Sequence, residues 1–102
     1  MLDLRPNCER CDKDLPVNAT DARICSYECT FCAPCAETVL MNVCPNCGGG
    51  LTPRPIRPAK AWRPGISAVH QPGSEVRVYM KRSAEEQGEL TTRLKDVAPE
   101  ER

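Results

Sequence analysis

Apolar and polar positions alternate in short bursts along this chain. Ala22 to Ser26 and the residues around Thr30 read as the arms of a short hairpin whose turn carries Cys25 and Cys29, with Asn18 to Asp21 as loop before it. Ala36, Val39, Leu40 and Val43 then recur at helical spacing, and Pro34 suits a first helical position, so the pattern predicts a helix over Pro34 to Met41. Past Leu51 the character changes. TPRPIRPAKAWRPG is punctuated by proline and predicts an extended, polyproline-like stretch. Val76, Val78 and Met80 alternate with polar neighbours between Glu75 and Lys81, a short strand signal. Ser83 and Glu86 form a potential capping box for a helix from Ala84 to about Val97. Gly88 weakens that helix, and Leu90, Leu94 and Val97 give it a thin apolar stripe.

Composition divides the 102 residues in two: all eight cysteines lie between Cys8 and Cys47. The expected organisation is a module over 1–52, a Pro/Arg-rich linker over 53–74, and a charged tail over 75–102 with a possible strand and helix. The module's candidate core is Leu2, Leu4, Leu15, Val17, Ile24, Phe31, Val39, Leu40, Met41, Val43 and Leu51, with Tyr27 in support. So few apolar side chains do not offset the entropy of ordering such a module, and small domains of this kind rely on covalent or metal staples. Disulfides are one candidate staple. However, MLDLRPN carries no basic region followed by an apolar run, and no stretch approaches a membrane span. The chain therefore reads as cytoplasmic, where thiols stay reduced.

The cysteine spacing is C-x2-C-x13-C-x3-C-x2-C-x2-C-x8-C-x2-C. Cys8/Cys11, Cys32/Cys35 and Cys44/Cys47 are C-x2-C pairs, in which two thiolates on a tight turn grip one ion, and two such pairs complete a tetrahedral zinc site. Gly48 to Gly50 after the last pair permit a positive φ and a close approach of backbone N–H groups to sulfur. The eight cysteines can be shared sequentially, split otherwise, or interleaved. Interleaving puts Cys8, Cys11, Cys32 and Cys35 on one Zn²⁺ and Cys25, Cys29, Cys44 and Cys47 on a second. It ties distant parts of the chain together and is the preferred reading for a module with little core.

This pattern, with C-x3-C-x2-C-x2-C in the middle and CPNC at the end, resembles a RING-type zinc module. The resemblance implies the cross-braced, treble-clef-like arrangement: a small metal-stabilised α+β fold with two four-cysteine sites, a short β-hairpin and one short helix, followed by an extended or partly disordered tail. The fuller run RPNCERCDKDLP to CPNCGG, within Leu4 to Pro58, resembles a small cysteine-rich bacterial family, domain of unknown function 1272, from which no activity transfers. RING modules often recruit ubiquitin-conjugating enzymes through an aliphatic residue after the first cysteine, a tryptophan before the seventh and a basic residue after the eighth. Here those places hold Glu9, no tryptophan (LMNV) and Gly48, and Cys29 replaces the usual histidine. Ubiquitin-ligase-like activity is not expected.

Two closed four-thiolate sites leave no open coordination position, and His70 in the tail is the one histidine, read as a solvated loop residue. No enzyme is expected. Cys29, Cys32, Cys35 and Cys44-Pro45 loosely echo ferredoxin spacing, which keeps an iron–sulfur electron carrier as an alternative. A thiol-redox role lacks the βαβ context it needs. Residues 1–47 hold four basic against seven acidic residues, a balance of −3, and residues 48–102 hold ten against seven, +3. Each zinc–tetrathiolate site adds about −2 to the module. Its acidic surface does not favour phosphate backbones, although Arg54, Arg57, Lys60 and Arg63, with no acid from Gly48 to Ser74, keep nucleic-acid binding by the tail as a second alternative. The linker reading has Trp62 or Ile56 tucked into a groove, the docking reading has Trp62 as an anchor, and the basic tail is also able to fold back on the acidic module. The expected function is zinc binding by a protein–protein interaction or scaffold module, with an unknown protein partner, no membrane, and an oligomeric state the sequence does not fix.

Overall fold

The computed structural model describes residues 1–102. Three short strands, β1 (Ala22–Ile24), β2 (Thr30–Cys32) and β3 (Thr52–Pro53), form an antiparallel sheet in the order β2-β1-β3. Ala22 pairs with Cys32 and Ile24 with Thr30, so the predicted hairpin forms and its turn carries Cys25 and Cys29. Glu28, with φ of 71°, makes that turn tight. A helical turn over Cys35–Val39 follows, shorter than the predicted helix and wider than an α-helix: Leu40 N–H bonds Cys35 O at 2.8 Å, five residues back. It ends early because Met41 and Asn42 both take positive φ. The Asn42 side chain then accepts from Leu51 N at 2.8 Å, steering the chain into β3.

Sulfur makes up half of the core. Of the twelve residues in the central cluster, six are cysteines, packed around Leu15, Ala22, Phe31, Ala36, Leu40 and Leu51. Phe31 and Leu40 are completely buried. Leu2, Met41 and Tyr27, counted in the candidate core, are exposed instead: Met41 follows the helical turn with positive φ, and Tyr27 sits at the hairpin tip.

The second half of the chain runs back along the first. Arg54 is buried and donates to Arg5 O at 2.8 Å, Leu15 O at 3.2 Å and Pro16 O at 2.9 Å, satisfying three carbonyls of the N-terminal loop at once. Trp62 and Ile56 fill no groove, since both are exposed. The proline-rich stretch is extended only to about residue 59 and then turns repeatedly. Gly73 comes so close to the module that a Cβ there would stand 2.5 Å from Val17 Cγ1.

Residues 75–81 form no strand. The buried Asn7 side chain takes the place of a partner strand, donating to Val78 O at 2.9 Å and accepting from Val78 N at 3.1 Å, while Met80 N–H bonds Glu9 O at 2.7 Å. Arg77 bridges Asp12 and Asp14, both at 2.7 Å, so the basic tail does fold back onto acidic residues of the module. The predicted C-terminal helix is α1 (Ala84–Leu94), with the Ser83/Glu86 capping box complete at its start. Its buried face carries Gln87 and Thr91, and Thr91 reaches Leu40 O at 3.4 Å. Arg102 ends the chain on Asn42 O and Gly48 O, at 2.8 and 3.1 Å.

Arg54→Met, which keeps the aliphatic stem but leaves three carbonyls without their donor, is expected to lower unfolding stability by about 2–4 kcal/mol in urea titrations of the metal-loaded protein. Arg77→Met, at a solvent-screened bridge, is expected to leave the urea midpoint close to wild type in high salt. Equal losses for both variants would overturn this ranking of the tail contacts.

Candidate metal centre

Each cysteine pair sits on a turn that the local sequence builds. Asp12 N–H bonds Cys8 O at 2.9 Å and Gly48 N–H bonds Cys44 O at 2.8 Å, so the first and last C-x2-C loops close in the same way. The residue after each second cysteine has positive φ, 66° at Asp12 and 78° at Gly48. Glycine meets this requirement freely at Gly48, and Asp12 adopts a conformation that aspartate tolerates better than most residues. Cys32 closes β2 and Cys35 opens the helical turn, which places the third pair across the strand end from the first.

The fold interleaves the pairs. Cys8, Cys11, Cys32 and Cys35 bring their sulfurs within 4.8 Å of one another. Cys25, Cys44 and Cys47 form a second group under the same limit. Cys29 belongs beside this second group: its thiol interacts with those of Cys25 and Cys44, though its sulfur is not within 4.8 Å of all three. All eight cysteines are free thiols. Cys11 Sγ and Cys32 Sγ lie 3.7 Å apart. That is far beyond the roughly 2.05 Å of a disulfide. It matches the edge of about 3.8 Å expected for a tetrahedron of sulfurs, each about 2.3 Å from a central zinc. The donor set therefore fits a single thiophilic ion in each site.

Donors surround the sulfurs. Backbone N–H groups of Cys11, Tyr27 and Gly49 point to Cys8, Cys25 and Cys47 at 3.5, 3.3 and 3.4 Å. Arg10 Nη1 reaches Cys35 Sγ at 3.5 Å, and Asn46 Nδ2 reaches Cys29 Sγ at 3.4 Å. Such outer contacts orient ligands and disperse thiolate charge. Arg10 and Asn46 escaped the sequence analysis, although each lies inside a C-x2-C loop, where a short span is bound to hold it near sulfur. Glu9 lies in the same loop as Arg10 but turns inward. Its carboxylate is buried, accepting from Thr30 N–H and from Arg5 Nη1 at 2.9 Å. Burial raises its pKa, opposed by those two donors. The position that departs from the RING pattern is thus an internal strut.

Without a cation the sulfurs compete for protons. Hydrogen bonds from Cys29 and Cys44 pull Cys25 down to about 3, and the same bonds to Cys25 and Cys29 hold the proton on Cys44, whose pKa rises. In the other site burial pushes Cys32 up to about 12 and raises Cys35. Burial also opposes the Cys11 thiolate, but the Lys13 backbone and the neighbouring thiols outweigh it and lower its pKa. Four thiolates cannot coexist at this spacing unless a metal ion compensates them.

The model of a family described as "Protein of unknown function (DUF1272)" matches residues 1–57, the half that carries all eight cysteines. An uncharacterized protein of Rhizobium meliloti (strain 1021) is 68% identical over 59 residues, covering 58% of this chain and 70% of the relative. No solved structure matches the chain.

Substitution tests the membership of each site. Cys8→Ser and Cys25→Ser are each expected to lower metal content from two ions per chain to about one, and Cys29→Ser to behave like Cys25→Ser. Asn46→Ala is expected to weaken binding at the second site by about tenfold. Because ligand thiols must lose their protons before metal binds, retention is expected to fall as pH is lowered, read by a chromogenic chelator. A Cys29→Ser variant with full metal content and unchanged pH dependence would remove Cys29 from the site.

Proposed function

We propose that this chain, which belongs to the DUF1272 family, is a cytoplasmic protein whose two interleaved cysteine sites each hold one Zn²⁺, and that the resulting rigid body serves as a protein–protein interaction module. The observation that carries the reading is the convergence of sulfurs from four separate chain segments into two groups. Zinc suits them because an all-thiolate tetrahedron needs no redox activity and no open position. Free thiols throughout, with no disulfide, fit a reducing compartment. No helix is long and apolar enough to cross a membrane.

The use made of the side chains supports reading the role as structural rather than catalytic. Seven cysteines lie in the two groups with Cys29 beside the second, and His70 has its Nδ1 committed to Ser67 Oγ at 2.9 Å. The nucleic-acid alternative loses several of its donors to internal contacts: Arg54, Arg57 and Arg102 bond backbone carbonyls, and Arg77 bonds the Asp12 and Asp14 carboxylates. A polyanion contact needs several free cations in one groove.

The iron alternative is separated by colour and content. Purified protein is expected to be colourless with two zinc ions per chain, and to show no salt-dependent retention of single- or double-stranded DNA. Visible thiolate-to-iron absorption would replace the zinc reading with an electron carrier. Tight DNA binding that weakens steeply with salt would replace the protein-interaction reading.

A further inference from the structure

Immediately beyond the residues matched by the family model, 58–72 form a loop that is closed and internally braced. Ala68 N–H bonds Pro58 O at 2.7 Å across its base. Ser67, only 1% exposed, receives Val69 N–H on its hydroxyl and pairs with the His70 ring. The Gln71 amide spans the interior, accepting from Ser67 N at 3.2 Å and donating to Gly65 O at 2.9 Å. Arg57 fastens the loop by bonding Gln71 O at 2.6 Å and Leu2 O at 3.1 Å.

This bracing holds a loop several of whose apolar side chains the protein itself leaves uncovered. Trp62 is 78% exposed, Val69 78% and Ile66 59%. Trp62 is the chain's single tryptophan, and Lys60 and Arg63 flank it with no acidic residue between Gly48 and Ser74. A spacer would not need an ordered network beneath exposed tryptophan and aliphatic side chains. A docking loop does, because a preorganised anchor avoids much of the ordering cost of binding.

The charge count selects the partner class. Arg54 and Arg57 spend their guanidinium groups internally, leaving two free cations around the tryptophan. Polybasic membrane patches use about four to eight such residues. Nucleic-acid grooves neutralise several phosphates. A tryptophan with an adjacent arginine and an aliphatic surround is instead the composition of a protein–protein hot spot. We propose that the 58–72 loop is the docking surface of this protein, with Trp62 inserting into an apolar cleft of a partner protein whose rim carries carboxylates that meet Lys60 and Arg63. The inference rests on the interaction-module reading above and deepens it by naming the surface and the partner's chemistry.

The test is site-specific photocrosslinking of the full-length, zinc-loaded chain in the organism that makes it. p-Benzoylphenylalanine replaces Trp62 in one strain and the exposed Tyr27 in another, with zinc content confirming that both variants fold. The expected result is a discrete adduct with an acidic protein from position 62, none from position 27, and about tenfold less adduct from position 62 when Lys60→Glu and Arg63→Glu are added. Adducts from position 27 alone would overturn the loop as the docking surface while leaving an interaction module standing. No adduct from either position would overturn both. Adducts with lipid or nucleic acid alone, or a yield indifferent to charge reversal, would overturn the acidic protein partner.

Discussion

Everything in this fold depends on sulfur atoms held closer together than their charges allow. The sheet offers strands of two and three residues, and half of the central cluster is cysteine. Neither the hydrogen bonds of so small a sheet nor the few aliphatic contacts around Phe31 suffice to order the chain. A metal ion held by each group of sulfurs would supply what they lack, since binding free energy at a site assembled only in the folded state is folding free energy. The interleaving matters as much as the metal. One group joins the N-terminal loop to the β2 end, the other joins the hairpin tip to the loop before β3, so neither half of the module closes without the other.

The second half of the chain extends this logic with polar contacts. Arg54, Asn7 and Arg102 each bond backbone groups that loops would otherwise leave unpaired. Buried backbone carbonyls and N–H groups without partners are costly, and irregular segments produce many of them. Long polar side chains resolve this where strands and helices are too short to do so. The result is a tail that is extended in sequence character yet fixed against the module at intervals, ending in a helix whose buried face is Gln87 and Thr91 rather than a broad apolar stripe.

These two kinds of contact differ in how much the sequence reveals of them. Cysteine ligation is local chemistry at fixed spacing, so the three C-x2-C pairs, the hairpin turn at Cys25–Cys29 and the positive φ at Gly48 can all be read in advance. The capping box at Ser83 is equally local. Asn7 with Val78, separated by 71 residues, and Arg54 with Arg5, separated by 49, leave no periodic trace. The alternation of Val76, Val78 and Met80 signals a strand that does not form, because the partner of Val78 is the Asn7 side chain instead of a strand. Glu9 is misleading for a related reason: a carboxylate reads as surface until Arg5 and the Thr30 N–H are seen to receive it. The DUF1272 match covers residues 1–57, the half that carries the locally legible cysteine pattern.

Metal ligation, rather than the apolar core, is expected to make this chain fold. This dependence is tested most directly by two-dimensional amide NMR of the full chain as a strong chelator is added and then zinc restored. The dispersed spectrum is expected to collapse to unfolded positions on metal removal and to return once two equivalents of Zn²⁺ are added. A spectrum that stays dispersed in the metal-free protein would contradict it.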